Sequence, residues 1–232
     1  MKKITHSLLS AGLFALATMS VQAAETSRLF FEQTGNTLAT DSVSVDLEYP
    51  FSQGAVATGL RAGALGGEVM INTASDDVSG FASSSIGYKR SLQKGLSVYG
   101  ILSYYDQELP APGISATDFA LGAAYTMKTG ELSLNLNPEL VTDDANIRGG
   151  KNTIFIKGSA ALALKNTGTA LVAEIILENS SFLDTVINLG ARWQPRNNLT
   201  VDLIVYNDGG SIGPIPGTRT GIPGYIIVNL LF

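Results

Sequence analysis

Residues 131–140 read Glu131-Leu132-Ser133-Leu134-Asn135-Leu136-Asn137-Pro138-Glu139-Leu140. Leu132, Leu134, Leu136 and Leu140 alternate with Glu131, Ser133, Asn135, Asn137 and Glu139, the period of two expected of a β-strand with one apolar and one wet face. Val43, Val45, Leu47 and Tyr49 alternate in the same way with Ser44, Asp46 and Glu48, as do Leu171, Ala173, Ile175 and Leu177 with Glu174 and Glu178. Further strands are predicted at about 54–73, 80–90, 96–106, 116–127, 153–164, 184–193, 199–208 and 222–232, with 27–33 a weaker candidate. Taking 27–33 as a strand and the glycine-rich 54–73 as a single one gives about twelve. Residues 54–73 also read as two short strands, and ten or fourteen strands remain compatible with the pattern.

Apolar residues make up 45% of the chain and mean hydropathy is +0.20, yet no segment after the first 23 residues holds the 18 consecutive apolar residues of a spanning helix. A soluble β-sandwich and a transmembrane β-barrel both meet that condition. The connections favour the barrel, because short turns and long polar loops alternate along the chain. Short turns are expected at about 50–53, 91–95, 128–130, 165–169 and 195–198, and longer connections near 74–79, 106–115, 142–152 and 207–221. Aromatic residues are expected to follow the same logic. Tyr49, Tyr88, Tyr125, Trp193 and Phe232 each lie on the apolar parity of a strand running towards the short-turn end, as in an interfacial aromatic girdle facing lipid.

The N-terminus reads as an export signal. Lys2 and Lys3 precede an apolar stretch from Leu8 to Met19, and Val21-Gln22-Ala23 places small or aliphatic residues at the positions needed for a cut before Ala24. The expected organisation is therefore a signal peptide, 1–23, followed by an outer-membrane barrel, 24–232. Loss of Lys2 and Lys3 from the 15 basic side chains leaves 13 against 20 acidic ones, a net charge of −7, and it also removes His6, the one histidine. A chain without cysteine has neither a disulfide framework, nor a thiolate zinc site, nor a thiol nucleophile, and the sequence leads us to expect no metal and no cofactor. Its acidity argues against nucleic acid as a partner, since phosphate binding needs clustered Lys and Arg.

Ile226, Val228, Leu230 and Phe232 form the apolar face of the last stretch. This strand resembles the C-terminal signature of bacterial outer-membrane β-barrel proteins. The resemblance implies an all-β antiparallel up-and-down barrel of porin-like architecture in the outer membrane. It further implies outer-membrane lipid and lipopolysaccharide as surroundings, and recognition of the terminal aromatic strand by the barrel-assembly machinery. It is specific in this strand and architectural elsewhere, so it points to no particular family.

Several chemistries are missing. With no histidine after the signal, the usual general base for activating a serine or a water is lacking, and a catalytic role is not expected. Gly209-Gly210-Ser211-Ile212-Gly213 matches G-x-S-x-G, but that motif needs a strand-to-helix elbow and a histidine partner. Its surroundings, with Pro214, Pro216 and Pro223, read as a long loop. Asp76-Asp77 and Asp143-Asp144, with Asn146 nearby, offer hard oxygen ligands but read as solvated loops.

The wet faces are more informative. Parity points Asp46, Glu48, Glu131, Glu139, Glu174, Glu178 and Asp202 inward, with Lys89, Lys157 and Arg192 as basic partners; Arg61 takes no definite side. Such a lumen suits a narrow passive channel for small hydrophilic solutes, cation-preferring, with the loop 207–221 and Arg219 narrowing its mouth. A non-conducting structural or surface-interaction barrel is the alternative. A carrier of small apolar molecules is a third, since Ile101, Phe155, Ile176, Ile204 and Tyr225 also fall on the inward parity.

Overall fold

The computed structural model describes residues 28–29, 32–50, 55–76, 81–107, 114–142, 152–179, 185–208 and 224–232. The expected signal peptide at 1–23, Arg219, the Gly209–Gly213 motif, the Asp143-Asp144 pair with Asn146, and most of the long loops fall outside these residues.

Twelve antiparallel strands close into a barrel. They are β3 (Val43–Pro50), β4 (Ala55–Ala64), β5 (Gly67–Asp76), β6 (Phe81–Gln93), β7 (Leu96–Gln107), β8 (Ile114–Thr129), β9 (Leu132–Val141), β10 (Thr153–Leu164), β11 (Thr169–Glu178), β12 (Val186–Arg196), β13 (Leu199–Asp208) and β14 (Tyr225–Leu231). Each pairs with its neighbour in sequence, and β14 pairs with β3 to close the ring. Closure leaves no edge strand, which is what a β-structure needs in hydrocarbon, where unpaired N–H and C=O groups go unsolvated.

The wall inverts the burial of a soluble protein. Leu136, Leu140, Leu171, Ile175 and Leu177 are exposed, whereas Asn137, Glu139 and Glu174, on the same strands, are buried. Only a solvent that prefers leucine to glutamate makes this arrangement stable, so the outer face is a lipid surface and the polar face lines the interior.

Two of the expected strands are corrected. Residues 54–73 hold two strands, joined by a turn in which Leu65 and Gly66 have φ of 56° and 73°. Positive φ at both central residues is the signature of a type I′ hairpin turn, normally written Asn-Gly or Asp-Gly, and a leucine in that place hides it. Residues 27–33 add no strand to the wall. They contain the two-residue strands β1 (Arg28–Leu29) and β2 (Glu32–Gln33), which pair only with each other. The two departures cancel, so the total of twelve stands although its membership differs.

The additional hairpin also reverses β3. Val43, not Pro50, lies at the short-turn rim, beside Phe232. Pro50 of β3 and Ala55 of β4 lie at the opposite rim, in register with Tyr225 and Asp76. The tight turns between β4–β5, β6–β7, β8–β9, β10–β11 and β12–β13 all lie at the first rim, which by the rule for such barrels faces the periplasm.

One wall strand carries a proline. Pro138 has no N–H, and the β8–β9 ladder skips from Gly122–Glu139 to Tyr125–Leu136. The side-chain amide of Asn137 donates to the Ala123 carbonyl in the gap, at 2.9 Å.

Candidate functional site: the charged barrel interior

Alternation carries the inward residues of neighbouring strands into contact, and the charged and amide side chains among them meet in networks set within an otherwise apolar and hydroxyl-bearing lining. Asp46 on β3 and Arg61 on β4 form a bidentate pair, with Arg61 Nη2 at 2.8 Å from Asp46 Oδ1 and Nε at 3.0 Å from Oδ2. Arg61 Nη1 lies 3.9 Å from Glu68 Oε1 on β5, and Glu68 stands in register with Lys89 on β6. On the other side of Asp46, Asn229 of β14 donates to its carboxylate and to Ser44 Oγ. Next along the wall, Arg192 of β12 reaches Asp202 of β13 with two hydrogen bonds of 2.7 Å.

A second network occupies the opposite sector. Lys157 Nζ donates to Glu139 Oε1 at 2.8 Å, and the Tyr99 hydroxyl donates to Glu139 Oε2 at 2.6 Å, with Asn137 Oδ1 at 2.9 Å. Asn188 donates to Glu174 at 2.6 Å. Around these lies an apolar cluster that includes Met70, Ile101, Val141, Phe155, Ile176 and Val186. Ile204 and Tyr225 are buried as well. Single-partner loss from such buried ion pairs leaves an uncompensated charge, costing about 3–5 kcal/mol.

Of the inward candidates, Asp46, Glu48, Lys89, Glu139, Lys157, Glu174 and Asp202 are buried, and Glu178 and Arg192 are half-buried. Glu131 is the exception. Its parity is that of Glu139, but β9 begins at Leu132, so Glu131 sits in the turn and is exposed to solvent. Three further charged groups are buried on the inward face. Arg61 and Glu68 flank the unrecognised Leu65-Gly66 turn, which resets the parity within 54–73. Asp118 is buried on β8, near the Tyr105 hydroxyl, within a strand whose predicted span 116–127 already contained it; its alternation with Phe119 and Leu121 was the available signal. Among the described residues no group of three or more His, Cys, Asp or Glu is placed to hold a metal ion.

Tyr88, Tyr125 and Trp193 are exposed on the outer face close to the short turns, and Phe232 ends the chain at that rim. The Tyr88 hydroxyl donates to the Leu65 carbonyl in the neighbouring turn at 2.8 Å. Tyr49 also faces outward, but the reversal of β3 puts it at the long-loop rim, so it does not share their depth. Ile226, Val228 and Leu230 take the outward parity of β14, in register with Tyr49, Leu47 and Val45.

A closed antiparallel wall with a lipid-compatible exterior, an ionic interior and tight turns at one rim defines a bacterial outer-membrane β-barrel. No protein-family model matches the sequence, and no curated protein matches it. Solved structures do. A KdgM porin aligns over 82% of this chain and 98% of its own, with a TM-score of 0.51 and 11% identity. A KdgM porin in complex with disordered oligogalacturonate aligns over the same shares, with a TM-score of 0.54 and 10% identity. A NanC porin follows over 82% and 98%, with a TM-score of 0.48 and 12% identity. At these identities the likeness is one of fold: a small outer-membrane barrel of porin architecture.

Proposed function

We propose that the chain is a narrow porin-like channel that passes small hydrophilic solutes across the outer membrane and favours cations. The charge of the inward face carries this reading. Asp46, Glu48, Glu68, Asp118, Glu139, Glu174, Glu178 and Asp202 oppose Arg61, Lys89, Lys157 and Arg192, an excess of carboxylates in a passage walled by low-dielectric material. Such a wall concentrates the field of that excess on a permeating ion. A barrel of twelve strands lies between those packed solid by side chains and those with wide aqueous channels, which fits a narrow path.

The same excess argues against the ligand of the KdgM complex as a substrate here. A galacturonate oligomer bears a carboxylate on each sugar and would meet the net negative charge of the passage.

Planar-bilayer recording of the purified protein in a salt gradient tests the reading. Stepwise conductance with a reversal potential on the cation side is expected, and an anion-selective pore would refute it. The depth and pairing of Arg61 and Lys157 favour a second reading, a closed structural barrel, which would show no conductance.

A further inference from the structure

Residues 33–42, just before the barrel, do not hang free beneath it. From Val43 at the short-turn rim, the chain traced backwards turns into the lumen and crosses it. The Asp41 N–H donates to the Gly63 carbonyl of β4 at 3.1 Å, and Gly63 N–H donates to the Ser42 carbonyl at 2.8 Å. Leu38 N–H donates to Glu68 Oε2 of β5 at 2.9 Å. Gly35 N–H donates to Thr126 Oγ1 of β8 at 2.8 Å, the Thr34 carbonyl accepts from Ser97 Oγ of β7 at 3.2 Å, and Gln33 Oε1 lies 3.5 Å from Lys89 Nζ of β6. Beyond these, β2 reaches β10. In the ring, β10 is separated from β3 by six strands in one direction and four in the other, so the segment spans nearly the full width of the barrel.

This strap is fitted to its path. Thr34, Gly35 and Leu38 are buried. A Cβ on Gly35 would come 1.9 Å from the Gly95 carbonyl oxygen, and one on Gly63 would come 1.8 Å from that of Ala39, so the strap backbone rests directly on the wall at both places. The Thr126 hydroxyl that receives Gly35 donates in turn to Asn135 Oδ1 at 2.5 Å, and Asn135 Nδ2 donates to Ser159 Oγ at 3.2 Å, tying the strap to β8, β9 and β10. Its wall partners Glu68, Lys89, Ser97 and Thr126 all lie within a few residues of the tight turns, which sets its depth in the periplasmic half. The hydrogen bonds named above run along β4 to β8. The facing sector carries the Arg192–Asp202 pair, and Arg192 keeps 14% of its side chain exposed where Arg61 and Lys157 keep 5%.

We propose that residues 32–42 are the inner constriction of the channel, narrowing the periplasmic half of the lumen to a gap between the strap and the Arg192–Asp202 pair. This rests on the channel reading above. A solute reaches the periplasm only past the strap backbone on one side and a guanidinium–carboxylate pair on the other, so the strap sets the size limit. The acidic wall sets the charge preference.

The test uses single-channel recording on the exported, membrane-extracted protein, with folding checked by heat-modifiable migration in gels. Gly35→Val drives a side chain into the Gly95 carbonyl and lifts the strap, and conductance should rise by roughly twofold or more as the narrowest section widens. Ser97→Ala combined with Thr126→Val removes two anchors without adding bulk, and should act in the same direction if Gly35→Val does not fold. The chain has no cysteine, so Thr34→Cys supplies a unique thiol, and a charged thiosulfonate reagent should reduce its current. Conductance in a silent wild type that appears only in Gly35→Val would equally support a strap that occludes the lumen. Folded variants with wild-type conductance, together with a current indifferent to modification at position 34, would overturn the constriction while leaving the channel reading intact. Silence in the wild type and in every variant would instead bring down the channel reading, and the constriction with it.

Discussion

Val43 and Phe232 exchange both backbone hydrogen bonds, Val43 N–H to the Phe232 carbonyl at 3.0 Å and Phe232 N–H to the Val43 carbonyl at 2.7 Å. Val43 and Phe232 thus lock the ring at the periplasmic rim, which gives Phe232 a structural position. Deleting Phe232 removes both bonds, whereas Phe232→Ala removes only the ring. If the terminal aromatic is what the assembly machinery reads, both changes should lower the amount of heat-modifiable barrel in outer membranes. Normal insertion of Phe232→Ala beside impaired insertion of the deletion would assign the effect to closure alone.

Glu174 and Glu178 face the lumen from one strand and contribute two carboxylates to its acidic excess. Replacing both with Gln keeps their shape and removes charge. The reversal potential in a salt gradient should shift towards zero with little change in the yield of folded protein; an unmoved potential would place these side chains away from the permeation path.

Arg61 satisfies Asp46 directly and sits beside Glu68. Arg61→Ala takes the cation from two buried carboxylates, leaving Asp46 with Asn229 and Glu68 with the Leu38 N–H, and should lower stability by about 3 kcal/mol, read from urea unfolding of the refolded barrel. Replacing Arg61 and Asp46 together by leucine should cost less than the single change, because no unpaired charge from that pair is left behind.

Leu65 holds φ of 56° and is exposed at the periplasmic turn, where an L-residue with a large side chain is strained. Leu65→Asn keeps the carbonyl that Tyr88 binds and relieves that strain. A gain of about 1 kcal/mol is expected by the same unfolding assay, and a loss would show that the leucine side chain itself stabilises the turn.

Export should remove residues 1–23. Intact mass measurement of protein taken from outer membranes should give a chain beginning at Ala24, and a retained Met1 would end the signal-peptide proposal.

Alternation, above all in 131–140, 43–49 and 171–178, marked the two faces of the strands, and the alternation of short turns with long loops marked the wall as a barrel. Lipid on one side and water or charge on the other force a period of two on each strand independently, and a slip of one residue would expose carboxylates to hydrocarbon. Other features have no such local record. Whether Tyr49 lies at the upper or the lower rim depends on how many hairpins follow it, and one hairpin written Leu65-Gly66 rather than Asn-Gly was enough to reverse the answer. Glu131 and Glu139 share a parity, but only the start of β9 decides that one of them is turn and the other lumen. The strap is the furthest from the sequence. Residues 33–42 show little periodicity because their buried residues, Thr34, Gly35 and Leu38, follow no strand period, and their partners, Gly63, Glu68, Lys89, Ser97 and Thr126, come from five different strands. Local chemistry determined which face of each strand meets lipid. Closure of the ring decided what stands opposite what inside it, because those contacts exist only once every strand is in register.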